Sequence, residues 1–280
     1  MPHTALIRIE PPPRLAVELR GQGPLLLFLH GIGGNRSNWR DQLAFFAAHG
    51  FTAAAWDARG YGDSDDYEGP LDFADFSADL RRVLDHLRVE RAHLCGLSMG
   101  GRILQDFAGR HAERIATLTL CDTQPGLGHM SEEKRREFIR LRQAPLRAGQ
   151  RPAEMAPAVA RSLIGPAASE AVYQRLVDSM AVLHTNSYLK TIEASFLYDR
   201  VPDLEGIRAP THVVVGAEDR LTPPETARGM AERIPGAKLT VIPGAGHLSN
   251  LEQPQLFNDA ALQFLLPHRD RADPPAETPR

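Results

Sequence analysis

The sequence predicts an α/β protein, with a doubly wound, mostly parallel sheet of eight strands and a helical lid insertion. Three observations lead there. Short apolar runs of strand length alternate with segments whose apolar residues recur at helical spacing. Several of the runs end directly in glycine, aspartate or histidine, as strands do when their carboxyl ends carry a ligand site. One of them, His93-Leu94-Cys95, enters Gly96-Leu97-Ser98-Met99-Gly100-Gly101 and then a helical stretch over residues 102–107. A strand, a sharp Gly-x-Ser-x-Gly turn and a helix make the context of a nucleophile elbow. Ser98 is expected on the turn with its hydroxyl exposed, and the Met99 amide at the helix N-terminus, facing a developing oxyanion.

The elements follow in order along the chain. Residues 5–9 and 14–20 read as short strands on either side of Pro11-Pro12-Pro13, and residues 21–24 as a turn. Leu25–Leu29 is continuously apolar, as a strand buried on both faces should be. It ends in His30-Gly31-Ile32-Gly33-Gly34-Asn35, which is either half of an oxyanion hole with the Ile32 amide as donor, or a flexible loop. Ser37 is expected to cap a helix reaching His49, with Gly50 as its stop. Residues 51–56 form the next strand, and the loop 57–64 is read as a structural turn rather than a binding segment. From Asp72 a helix carries Phe73, Phe76, Leu80, Val83, Leu84 and Leu87 on one face. The elbow follows, then a strand over Ile115–Cys121.

Residues 126–194 change character, with helical patterns broken by prolines and no buried strand, and are read as a lid over the strand ends. Eight arginines (135, 136, 140, 142, 147, 151, 161 and 175) but the single lysine Lys134 fall between 127 and 175. Such a run is usually a solvated helix face; the alternative is that one or two of these arginines meet an anionic substrate. Strands over 211–215 and Lys238–Ile242 then end at Asp219 and His247, and a last helix covers 254–266. The expected division is a core of 1–125 and 195–267, a lid of 126–194, and a charged, proline-rich tail of 268–280 that is disordered and dispensable.

Composition sets outer limits. A chain of 280 residues, 42% hydrophobic and 24% charged, suits one large α/β domain, and a net charge of -3 gives no reason to expect nucleic acid or an anionic membrane as partner. Cys95 and Cys121 each end an apolar, strand-like run and are read as reduced core residues, which with the absence of a signal-like N-terminus points to the cytoplasm. No metal-ligand spacing occurs, no apolar run approaches the roughly 18 residues of a spanning helix, and no cofactor is implied. A small-molecule substrate is the expected partner; composition leaves a homodimer open.

Ser98, Asp219 and His247 each follow a strand-like run, and their chain order resembles that of the α/β-hydrolase superfamily over residues 5–267. The resemblance implies a catalytic triad. A serine hydroxyl needs a base within hydrogen-bond reach, which His247 would supply, while Asp219 fixes its tautomer. The amides of Ile32 and Met99 would hold the oxyanion, and water would release the acyl group. Asp122, 24 residues after Ser98, is the rival acid; Asp219 is preferred because residues 216–223 match the usual acid loop. A serine nucleophile sets the chain apart from the dehalogenases and epoxide hydrolases of this fold, which use aspartate. Residues 96–101 and 246–254 are most similar to 3-oxoadipate enol-lactonases and allied small carboxylesterases, although enol-lactonases are often shorter and the loop after Leu29 is closer to general esterases. The leading expectation is hydrolysis of a small, anionic carboxylic ester or (enol-)lactone. Two alternatives stand: C–C bond hydrolysis of a vinylogous diketo acid, whose enzymes usually carry tryptophan where Leu248 stands, and a hydrolase-fold receptor with little turnover.

Overall fold

A computed structural model describes residues 4–127, 130–198, 200 and 202–276. The apolar runs become eight strands: β1 (Thr4–Ile9), β2 (Leu15–Arg20), β3 (Leu25–Leu29), β4 (Thr52–Trp56), β5 (Ala92–Leu97), β6 (Ile115–Cys121), β7 (Thr211–Gly216) and β8 (Lys238–Ile242). They form one sheet in the order β1-β2-β4-β3-β5-β6-β7-β8. β1 and β2 pair antiparallel, β2 runs antiparallel to β4, and the other pairs are parallel. Successive side chains of a strand point to opposite faces, and the core divides accordingly. Leu25, Leu27 and Leu29 join one cluster with Phe76, Leu80 and Phe107, while Leu26 and Phe28 join the other with Trp39, Phe46 and Phe257.

Helices cover both faces: α1 (Arg40–Ala48), α2 (Ala74–His86), α3 (Met99–Arg110), α8 (Pro224–Arg233), α9 (Ser249–Glu252) and α10 (Pro254–Leu265). Asn35 rather than Ser37 caps the turn before α1, its side chain accepting from Ser37 N, and that turn is a short 3-10 segment, Arg36–Trp39. Between β6 and β7 lie four helices, α4 (Glu132–Arg147), α5 (Pro152–Leu163), α6 (Glu170–Ala181) and α7 (Thr185–Leu197), the last running beyond residue 194. No helix among the described residues is long and apolar enough to cross a membrane.

The tail departs from expectation. Residues Leu266–Arg271 continue α10 as a 3-10 segment, and the chain beyond is pinned by its backbone. Asp273 O accepts from Leu25 N at 2.9 Å and Asp273 N donates to Arg91 O at 2.9 Å, so this residue bridges the entrances of β3 and β5. Arg269 donates to Gly50 O at 2.7 Å and its guanidinium lies 5.5 Å from the Phe51 ring centroid. Composition marked residues 268–280 as disordered because they lack apolar periodicity; those up to 276 are held by main-chain hydrogen bonds, which composition does not register. Residues 277–280 lie outside the described range.

Candidate active site

Parallel strands carry their carboxyl ends to one edge of the sheet, and the loops after β3, β5, β6, β7 and β8 meet there. Ser98 follows β5 with φ 52° and ψ -110°, a conformation that L-residues seldom adopt and that the surroundings must enforce. Ser98 N donates to Cys121 O at 2.9 Å, and Thr123 Oγ1 donates to Ser98 O at 2.7 Å. Gly100 is required here, since a Cβ would strike the Leu29 carbonyl.

His247, after β8, lies between Ser98 and Asp219. Its Nδ1–H donates to Asp219 Oδ2 at 2.8 Å, which leaves Nε2 free to accept from Ser98 Oγ at 3.0 Å. The tautomer follows from the partners, because a carboxylate can only accept. Asp219 is fixed in turn by Leu221 N and Thr222 N on Oδ1, at 2.8 and 2.9 Å, and by Thr222 Oγ1 on Oδ2 at 2.7 Å. Burial opposes the charged imidazole, but the Asp219 hydrogen bond and the charges of Asp219, Asp122 and Glu252 outweigh it, so the His247 pKa lies above its ordinary value. For Asp219 burial likewise disfavours charge, and the His247 and Thr222 contacts prevail to lower its pKa.

Asp122 is buried beside this row without bonding to His247. Its Oδ1 accepts from Gly216 N at 2.9 Å, and its Oδ2 accepts from Ser249 N at 2.9 Å and Ser249 Oγ at 2.7 Å. It thereby ties the roots of the Asp219 and His247 loops to the end of β6. Burial, then the Asp219 charge, pushes its pKa up to about 7. Glu252 performs a comparable task on the far side, accepting from Gly246 N at 2.9 Å and from Gly165 N, at the end of α5, at 2.7 Å. Neither anchoring role was visible in sequence, where no pattern reports which amides a buried carboxylate collects.

The loop after β3 is structured. His30 Nδ1–H donates to Gly31 O at 2.8 Å and its Nε2 accepts from Ala58 N at 3.1 Å, joining the ends of β3 and β4. The 57–64 loop is a turn held by Ser64 Oγ donating to Asp57 O at 2.6 Å.

Ser98, Ile32 and Met99 border a cavity of about 260 Å3. Leu127, Met130, Phe138 and Phe196 supply an apolar wall, and Arg102, Thr123, Gln124, Arg142 and Ser195 add polar groups. Helices α4 and α7 thus roof the strand ends. Of the eight arginines of the insertion, only Arg142 borders this cavity. Arg136, Arg140, Arg151, Arg161 and Arg175 pair with carboxylates, Arg147 bonds Gln143, and Arg135 is buried. Among the described residues Arg102 is the other cation bordering this cavity; the sequence places it only as a helix residue, and its signal is its spacing of one helical turn from Ser98.

An open, mostly parallel sheet with a serine on a strained strand–helix turn, joined through histidine to aspartate from later strand ends, defines an α/β-fold hydrolase. The chain belongs to the Alpha/beta hydrolase family, which matches residues 26–260, and it is a hydrolytic enzyme. It is 31% identical over 241 residues to 3-oxoadipate enol-lactonase 2 of Acinetobacter baylyi, covering 85% of this chain and 86% of the relative. Among solved structures, a hydrolase from Pseudomonas aeruginosa matches with TM-score 0.83 and 30% identity, covering 93% of this chain and 98% of the other. A thermophilic esterase from Thermogutta terrifontis matches with TM-score 0.82 and 28% identity, covering 95% and 99%.

Proposed function

We propose that this hydrolase cleaves a small carboxylic ester or lactone through an acyl-enzyme formed on Ser98. The observation carrying the reading is the unbroken hydrogen-bond chain from Ser98 Oγ through His247 to Asp219, opening on a small, largely apolar cavity. His247 Nε2 takes the hydroxyl proton as Ser98 Oγ attacks the carbonyl carbon, and Asp219 stabilises the imidazolium. The Ile32 and Met99 amides receive the oxyanion, the latter with the positive end of α3 behind it. The imidazolium returns its proton to the departing alkoxide; for a lactone that group stays tethered to the acyl chain. Water, activated by His247, then releases the carboxylic acid and regenerates the serine. Similarity to an enol-lactonase and to an esterase favours oxygen esters among carbonyl substrates.

The test is turnover of a panel holding short-chain activated esters, enol-lactones and vinylogous diketo acids. Multiple turnovers on esters or lactones are expected. Hydrolysis confined to the diketo acids would move the chemistry to C–C cleavage, and binding without turnover would make the cavity a receptor site.

A further inference from the structure

Arg102 presents an unusual electrostatic situation. Its amide donates to Ser98 O at 3.1 Å, which sets its side chain one helical turn from the nucleophile on the same face of α3. The guanidinium lies 5.1 Å from the Phe73 ring centroid, and Nη1 donates to Ser195 O at 2.7 Å. Nη2 is shielded from solvent and has no hydrogen-bond partner. Among the described residues no carboxylate pairs with it. Asp106, one turn further along α3, is already occupied by Ser77, Tyr198, Arg110 and Arg200. A largely buried guanidinium nitrogen without an acceptor or a counter-ion is energetically unfavourable unless a ligand supplies one. Burial draws its pKa down to about 10, so the cation persists at neutral pH.

Arg142 borders the same cavity, its guanidinium 4.8 Å from the Phe138 ring centroid and likewise without an ion pair among the described residues. Five neighbouring arginines of the insertion do have carboxylate partners. Arg135 and Arg147 also lack a carboxylate partner among the described residues, but neither borders the cavity of Ser98, whereas Arg102 and Arg142 both do.

We propose that this cavity contains a carboxylate subsite anchored by Arg102 and completed by Arg142, and that the natural substrate is an ester or lactone bearing a free carboxylate. The planar guanidinium fork matches a planar carboxylate through two parallel hydrogen bonds, and Nη2 is a donor in want of an acceptor. Arg102, Arg142 and Ser98 border one cavity of about 260 Å3, so the substrate carries its carboxylate a short chain away from the scissile carbonyl. The inference rests on the ester or lactone reading of the same cavity.

The experiment compares kcat/KM for the p-nitrophenyl half-ester of glutaric acid with that for its methyl-capped neutral analogue, in wild type, Arg102→Met, Arg102→Lys and Arg142→Met. Wild type should favour the anion. Arg102→Met should lower the anion-to-neutral ratio by about 10- to 100-fold, mainly through KM, the usual effect of losing a charge-assisted contact. Arg102→Lys should restore part of that ratio, and the exposed, paired Arg136→Met should leave it unchanged. Free glutarate should also raise the melting temperature of wild type but not of Arg102→Met, a readout independent of turnover. Should neither ester be hydrolysed while glutarate still stabilises in an Arg102-dependent way, the reaction assignment fails and the subsite stands. An equal preference for both esters in wild type, or a ratio unmoved by Arg102→Met, overturns the subsite.

Discussion

Asp219→Asn tests the hydrogen-bond geometry of the site. The new amide oxygen would keep the two backbone donors Leu221 N and Thr222 N, leaving its NH2 against His247 Nδ1 and Thr222 Oγ1. An amide N–H donates, so Nδ1 becomes the acceptor and the imidazole proton moves to Nε2. That proton then faces Ser98 Oγ, and the base can no longer accept from the nucleophile. A wrong tautomer in an otherwise intact triad lowers kcat by about 10⁴, or roughly 5.5 kcal/mol of activation free energy. Asp122→Asn, by contrast, sets its NH2 against the amide of either Gly216 or Ser249 while its oxygen still serves the other, costing about 1–3 kcal/mol of stability. Its kcat should stay within about tenfold of wild type, because it touches no reacting group. Steady-state kinetics on an activated ester, well above the imidazole pKa, with melting curves for each variant, decide the matter. A loss for Asp122→Asn exceeding that for Asp219→Asn would refute the reasoning.

Other outcomes follow from the same contacts. Catalysis requires neutral His247, whose pKa is raised, so kcat/KM should fall on the acid side with an apparent pKa above 6.5. Asp122 contributes negative charge to that shift, so Asp122→Asn should move the limb to lower pH; an unmoved limb would contradict the coupling. Replacing Ser98 by Gly should give a more stable protein than replacing it by Ala, because only glycine relieves φ 52°, ψ -110°, a strain of about 1–3 kcal/mol. Melting temperatures in the ordinary order, alanine above glycine, would show that no strain is stored. Deleting residues 268–280 removes the Asp273 bridge and the Arg269 contacts. At about 1 kcal/mol per net hydrogen bond this should lower Tm by more than about 5 °C, and an unchanged Tm would show that the tail is ornamental.

Much of this architecture was legible because it rests on local patterns. Leu25–Leu29 is continuously apolar and Ile115–Cys121 is broken only by the β-branched Thr117 and Thr119, short patterns that suit strands buried on both faces. The serine turn was readable since Gly96 and Gly100 meet a steric requirement that other residues cannot. Many of the surface arginines were legible too: Arg136 with Glu132 and Arg140 with Glu137 sit at helical pair spacing, the mark of a solvated face. What escaped was non-local. Asp273 is held by main-chain groups of Leu25 and Arg91, on its own backbone and on its carboxylate, and a lone aspartate in a charged, proline-rich stretch does not announce this. Arg102 looks like any cation on a helix until Phe73, Ser195 and the roof helices surround it. Asp122 and Asp219 both follow strand ends, and only the direction of the His247 ring separates an anchor from an orienting acid.

The central claim is that Ser98 is the nucleophile. The direct measurement is active-site titration with a fluorophosphonate, read by intact mass and peptide mapping, in wild type and in Ser98→Ala. One phosphonyl group per chain, carried on Ser98, lost in the variant and formed together with abolition of turnover, is the expected result. Labelling at another residue, or full turnover in Ser98→Ala, would contradict the account.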